Sequence, residues 1–181
     1  MRIESKNQER DLNTLNSISN NKYRFVKMDL LELQYKGVDY IGFPKVNPLD
    51  TINYLYIDIK TSNKYKKRNY FIFELYYKKN DSKHKSWSLQ EPNNKINPFM
   101  IAFLDSEQAV TIDRRRMIRV LQLLEQQKPH CIKTISEVDK NGNPVEKFIV
   151  KLNKDDEYFK LMQPNIYQKK SNGVFEKVVG K

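Results

Sequence analysis

Apolar residues follow a helical period at the start of the chain and a strand period soon after. Leu12, Leu15 and Ile18 recur at steps of three, which predicts a helix over residues 6–18 that ends at Asn20-Asn21. Glu9 lies three residues before Leu12, on or beside the same stripe. From Tyr23 to Gln34 the run Phe25, Val26, Met28, Leu30, Leu31 and Leu33 suits a strand or a short helix. Gly37 opens a compact strand, Val38 to Phe43, and the Pro- and Asn-rich stretch Pro44 to Asn53 connects it to a second, Tyr54 to Thr61. The two are expected to form an antiparallel hairpin. Lys64 to Asn69 reads as a basic turn, and Tyr70 to Tyr77 supplies another strand of aromatic and β-branched character.

Residues 78–98 read as a polar loop around Trp87. Phe99 to Leu104 and Ala109 to Ile112 are two short strands, followed by a helix at about 113–127 in which Met117, Val120, Leu121 and Leu124 form the apolar stripe. Thr134 to Val138 and Phe148 to Leu152 flank Asp139-Lys140-Asn141-Gly142-Asn143, whose Asn-Gly pair signals a hairpin. The last thirty residues are weakly patterned, with a short helix near 155–162 and a basic tail. No repeat or linker divides the chain. A single domain is expected, with its core at residues 1–127 and a C-terminal hairpin plus basic tail at 128–181.

One strand position breaks the apolar pattern. In Tyr54-Leu55-Tyr56-Ile57-Asp58-Ile59-Lys60-Thr61, side chains alternate, so Asp58 and Lys60 share one face while Leu55, Ile57 and Ile59 line the other. An acid-x-Lys pattern also occurs at Glu4-Ser5-Lys6 and Asp81-Ser82-Lys83, but those lie at a helix start and in a polar loop. A second acid facing Asp58 would complete a pair able to hold a divalent cation, because Mg²⁺ is usually bound by one or two carboxylates plus waters and phosphates. Asp50 precedes Asp58 by eight residues in nearly one strand, about 26 Å along it. Asp39 is the better partner, since the midpoint between 39 and 58 falls near the Asn47-Pro48 turn and a hairpin sets them opposite each other.

Charge narrows the partners. Lys and Arg number 33 against 22 Asp and Glu, a net +11 that favours polyanions, nucleic acid first and anionic membrane second. An A+T-rich genome would also raise lysine and asparagine counts without any such role. Lys64, Lys66, Lys67 and Arg68 follow the Asp58 strand directly, and Arg114, Arg115, Arg116 and Arg119 crowd the start of the 113–127 helix, where positive charge opposes the helix dipole. Both clusters are candidate phosphate contacts, with a solvated face as the plain alternative. Trp87, beside Lys83, His84 and Lys85, could stack on bases or pack over a core edge.

Cys131 is the one cysteine, and His84 and His130 are the only histidines, so a Cys/His zinc site and a Cys-His nucleophile both lack parts. A Gly-x-Ser-x-Gly elbow and a Gly-x-x-x-x-Gly-Lys loop are missing. No apolar run approaches the roughly 20 residues of a membrane span, and Met1-Arg2-Ile3-Glu4 lacks a signal-peptide core, so a cytoplasmic protein without membrane partners is expected.

Taken together, Glu9, Gly37-Val38-Asp39-Tyr40-Ile41 and Ile57-Asp58-Ile59-Lys60-Thr61 resemble, in order and approximate spacing, the PD-(D/E)xK nuclease superfamily. That family carries an acid in or near the first helix, an Asp opening the second core strand and an acid-x-Lys in the third. Here no proline directly precedes Asp39, and Asp replaces the commoner Glu at position 58. The resemblance implies an α/β (α+β) fold, a restriction-endonuclease-like mixed β-sheet flanked by helices, and Mg²⁺-dependent hydrolysis of DNA phosphodiesters, with Mn²⁺ as a substitute and RNA left open. It implies Asp39, Asp58, the Ile59 carbonyl and Glu9 as metal-binding groups and Lys60 as the catalytic base or water-orienting residue. A homodimer is expected if both strands of a symmetric duplex site are cut. The rivals are a non-catalytic nucleic-acid-binding protein on the same fold and a small basic interaction protein of phage or plasmid type.

Overall fold

The computed structural model describes residues 2–29, 38–49, 53–61, 70–90, 99–104, 107–139 and 141–178. In chain order its elements are α1 (Arg2–Ile18), β1 (Tyr23–Lys27), β2 (Tyr40–Pro44), β3 (Leu55–Thr61), β4 (Tyr70–Lys79), β5 (Ser82–Lys85), β6 (Phe99–Leu104) and β7 (Gln108–Asp113). There follow α2 (Arg114–Gln127), a 3₁₀ turn (Pro129–Cys131), β8 (Lys133–Val138), β9 (Pro144–Asn153), α3 (Glu157–Leu161), β10 (Asn165–Lys169) and β11 (Phe175–Lys177). The protein is mixed α+β. Its strands form two sheets among the described residues, one ordered β1-β2-β3-β6-β7-β10-β11 and one ordered β5-β4-β9-β8.

The sheets belong to different compact units. Unit 1 comprises Met1–Lys66, Asn93–Asp113 and Pro164–Lys181, and unit 2 comprises Lys67–Pro92 and Arg114–Gln163. The expected division at residue 127 does not follow these units: β10 and β11 return to the first sheet, while β8 and β9 complete the second. Tyr70 to Tyr77 forms a strand as expected, and it lies in the second sheet, while β6 occupies the edge of β3 in parallel register.

In unit 1, α1 stops where Asn20 and Asn21 turn left-handed (φ 50° and 55°), the conformation asparagine tolerates best after glycine. Leu15 of α1 is fully buried with Phe25, Tyr40, Ile57, Leu104, Ala109 and Phe175, and Leu12, Ile18, Leu55 and Ile59 pack around them. Burying a side chain such as Leu15 or Ile57 is worth about 1.5–3 kcal/mol. Gly42 is needed for this closeness, since a Cβ there would stand 2.6 Å from the Phe25 ring. The β1–β2–β3 meander is antiparallel, with Tyr40 opposite Ile57 and Gly42 opposite Leu55. Its hairpin therefore forms as the hydrophobic pattern predicts. The C-terminal strands are tied in by the Phe175 N–H, which donates to Ser17 Oγ at 2.8 Å.

In unit 2, Phe71, Phe73 and Leu75 alternate along β4 and are buried, matched by Val150 and Leu152 of β9. Phe71 stacks on Phe159 of α3 at 4.7 Å, and the Tyr76 hydroxyl donates to Glu125 of α2 at 2.8 Å. Asp156 caps α3 by accepting from the Tyr158 N–H. The Asp139–Asn143 turn forms as predicted: Asp139 Oδ1 accepts from the N–H groups of Asn141 and Asn143, and Gly142 has φ 84°. Where the pattern predicts a polar loop from residue 78, β4 instead continues to Lys79 and turns back into β5 through Asn80-Asp81, both at positive φ as a two-residue hairpin turn demands.

Candidate active site

Strand alternation decides what β3 offers to each side. Ile57, Leu55 and Ile59 pack with the α1 core, so Asp58 and Lys60 point to the opposite face. Asp58 is 1% exposed. Lys60 Nζ lies 2.6 Å from Asp58 Oδ1, with the lysine side chain 30% exposed. A carboxylate this deep would be costly without compensation, and a close ammonium supplies it.

Asp39 sits one residue before β2. Continuing the Tyr40–Ile57 register by one step sets it opposite Asp58, as the hairpin argument anticipates. Its backbone is stitched to both neighbours: its carbonyl accepts from the Met28 N–H and its N–H donates to the Ile57 carbonyl, each at 2.8 Å. The second of these bonds is one position off the ladder, so the strand bends there. The bend lets Asp39 Oδ2 accept from the Ile59 N–H at 2.6 Å. The carboxylate thus lies at the backbone between Asp58 and Lys60. In an extended strand the N–H and C=O of one residue leave by the same edge, so the Ile59 carbonyl also faces the β2 side.

The acid that α1 brings toward Asp39 is Asp11. Two residues on a helix are about 200° apart, and Glu9 is accordingly exposed while Asp11 is buried. Burial pushes the Asp11 carboxyl above its ordinary value, Arg10 opposes the shift with a contact at 3.1 Å, and the Asp39 charge adds to it. Burial, then the charges of Asp11 and Asp39, also push the neighbouring Tyr40 up to about 12. Asp11 could have been found from sequence, because it lies four residues before Leu15, on the buried stripe itself.

The arginine cluster divides. Arg114 is 2% exposed. Its Nε donates to the Gln90 carbonyl at 3.0 Å and its Nη2 to the Trp87 carbonyl at 2.6 Å. That corrects its assignment as a phosphate contact: it fastens the 86–90 turn to the start of α2, which also explains why a cation is tolerated there. Arg115 and Arg119 are exposed, and Arg116 donates to Gln163 Oε1. Lys64, Lys66, Lys67, Arg68 and Asp50 lie outside the described residues. Trp87 belongs to a turn whose neighbours Ser86, Ser88 and Leu89 are buried, and its ring centroid is 6.2 Å from that of Phe73.

Among the described residues no group of three or more His, Cys, Asp or Glu side chains is gathered as a metal cage, and no helix is long and apolar enough to cross a membrane. No protein-family model, characterised protein or solved structure matches this chain.

Proposed function

We propose that the protein is a Mg²⁺-dependent endonuclease of the restriction-endonuclease-like kind, acting on DNA at the corner formed by Asp39, Asp58 and Lys60. The observation that carries this is the 2.6 Å pairing of Lys60 with a buried Asp58, while Asp39 of the neighbouring strand reaches the backbone between them. A purely structural ion pair has no need of a second acid aimed at the same three residues. The order α1, then Asp39 at the opening of the second strand, then Asp58-x-Lys60 in the third, also supports the resemblance.

Asp39, Asp58 and the Ile59 carbonyl would hold Mg²⁺ or Mn²⁺, a donor set of the kind such ions accept when phosphate and water complete the shell. When bound, the metal lowers the pKa of a water and offsets charge on the scissile phosphate. Lys60 orients the attacking water and stabilises charge on the phosphate as the bond breaks. Asp11, in place of Glu9, is the acid of α1 whose charge interacts with Asp39. Arg115 and Arg119, with the basic stretch Lys64, Lys66, Lys67 and Arg68, supply sequence-independent phosphate affinity.

Duplex, branched and single-stranded DNA and RNA, incubated with the protein and Mg²⁺ or Mn²⁺, test the assignment. Cleavage should vanish in Asp58→Ala and Lys60→Ala, while DNA binding in EDTA persists. Undiminished cleavage in both variants would refute it. A wild-type protein that binds but never cuts would instead be a nucleic-acid-binding protein.

A further inference from the structure

The two edges of the unit 2 sheet differ in chemistry. One edge, β5, carries Lys83, His84 and Lys85; a second copy laid antiparallel on it about His84 would set lysine against lysine, the usual way an edge is protected from self-pairing. The other edge, β8, has no such guard. It is the last strand in the order among the described residues, its residues are exposed apart from a half-buried Ile135, and Val138 is 69% exposed.

The segment Ile132-Lys133-Thr134-Ile135-Ser136-Glu137-Val138 is complementary to its own reverse: apolar, cation, hydroxyl, isoleucine, hydroxyl, anion, apolar, with the two charges of opposite sign at mirror positions. Antiparallel pairing with itself about Ile135 sets Lys133 against Glu137, Thr134 against Ser136, Ile132 against Val138 and Ile135 against its own copy. Opposite charges, paired hydroxyls and paired β-branched residues are each favourable across an antiparallel ladder. A two-fold axis makes such a contact self-complementary, so each pair off the axis is made twice and the Ile135 pair, on the axis, once.

We propose that β8 is a homodimerisation edge, joining the four-stranded sheets of two copies into one continuous sheet. The pairing is independent of the nuclease assignment. A single strand pair covers less than the roughly 1,200–2,000 Å² of a stable interface, so the dimer is in exchange with monomer and weakens with salt. Glu137 also lies 2.8 Å from Lys147, within its own copy, which holds the carboxylate on the sheet face shared with Lys133.

Sedimentation of the full chain over a concentration series tests this. Wild type should show a monomer–dimer equilibrium. Glu137→Lys alone and Lys133→Glu alone each place like charges opposite one another twice and should weaken association about tenfold or more. An equimolar mixture of the two single variants restores both pairs, as does the double swap Lys133→Glu/Glu137→Lys, and both should recover dimer. Wild type that stays monomeric to its solubility limit, single variants that associate like wild type, or a mixture and swap that both fail to recover dimer would each overturn the proposal.

Discussion

Replacing Lys60 by methionine removes the ammonium that lies 2.6 Å from Asp58 while keeping a stem of similar length. Breaking a fully buried ion pair from one side costs about 3–5 kcal/mol, whereas exposed pairs are worth about 0–1 kcal/mol. Here the carboxylate is buried and the lysine side chain is 30% exposed. The cost should therefore fall between those limits, at about 2–3 kcal/mol. Asp58→Asn removes the charge that needs compensation, so Lys60→Met in that background should cost less, with a coupling of about 1–3 kcal/mol. Trp87 fluorescence reports on unit 2, so the measurement belongs to hydrogen exchange at β3, where the Ile59 amide bonded to Asp39 is a direct probe. If the corner binds a divalent cation, Mg²⁺ should restore part of the loss in Lys60→Met by taking up the ammonium's electrostatic role. A Lys60→Met cost below about 0.5 kcal/mol, the level of ordinary surface substitutions, would show that Asp58 does not depend on Lys60 and would sink the reasoning.

Tyr40 has a folded-state pKa near 12, raised from 10.0 mainly by burial. The folded state therefore holds the proton more tightly than the unfolded state, and stability falls as pH rises from about 10 to 12, by up to roughly 1.4 kcal/mol per unit. Urea unfolding across that range should show a shallower decline in Tyr40→Phe than in wild type; identical slopes would contradict the assignment. Arg114→Ala should lower unit 2 stability by about 2–4 kcal/mol, read by Trp87 fluorescence, and leave the salt dependence of DNA binding unchanged. Arg115→Gln and Arg119→Gln should each reduce that salt slope by about one.

The Val38–Thr61 hairpin was legible because its strands are dense in β-branched and aromatic residues and its connection holds two prolines, and the midpoint of Asp39 and Asp58 then gave their register. Gly142 marked the second hairpin in the same local way. The Asn80-Asp81 turn escaped because it reaches positive φ without glycine. Which sheet β4 joins was not readable, since its main partner β9 lies far along the chain and long-range pairing leaves no local trace. Glu9 stood out by its proximity to Leu12, although helix geometry carries the buried stripe through Asp11 and Leu15. Arg114 looked like surface charge because sequence cannot show the carbonyls of Trp87 and Gln90 waiting for it. β10 and β11 are too short and too polar to announce themselves, and they hold their place through β7 and Ser17.

Those last strands bear on how the chain is made. Leu15 shares its core with Phe175, and β10 pairs with β7. On a ribosome, α1 and the Asp39–Asp58 corner emerge early but cannot close their core until residues near 175 have left the exit tunnel. Every segment of unit 2, by contrast, has been synthesised by Gln163. The unit begun first is thus the one finished last, and for most of translation the edge of β7 and the place of Phe175 beside Leu15 must wait for strands that have not yet been added.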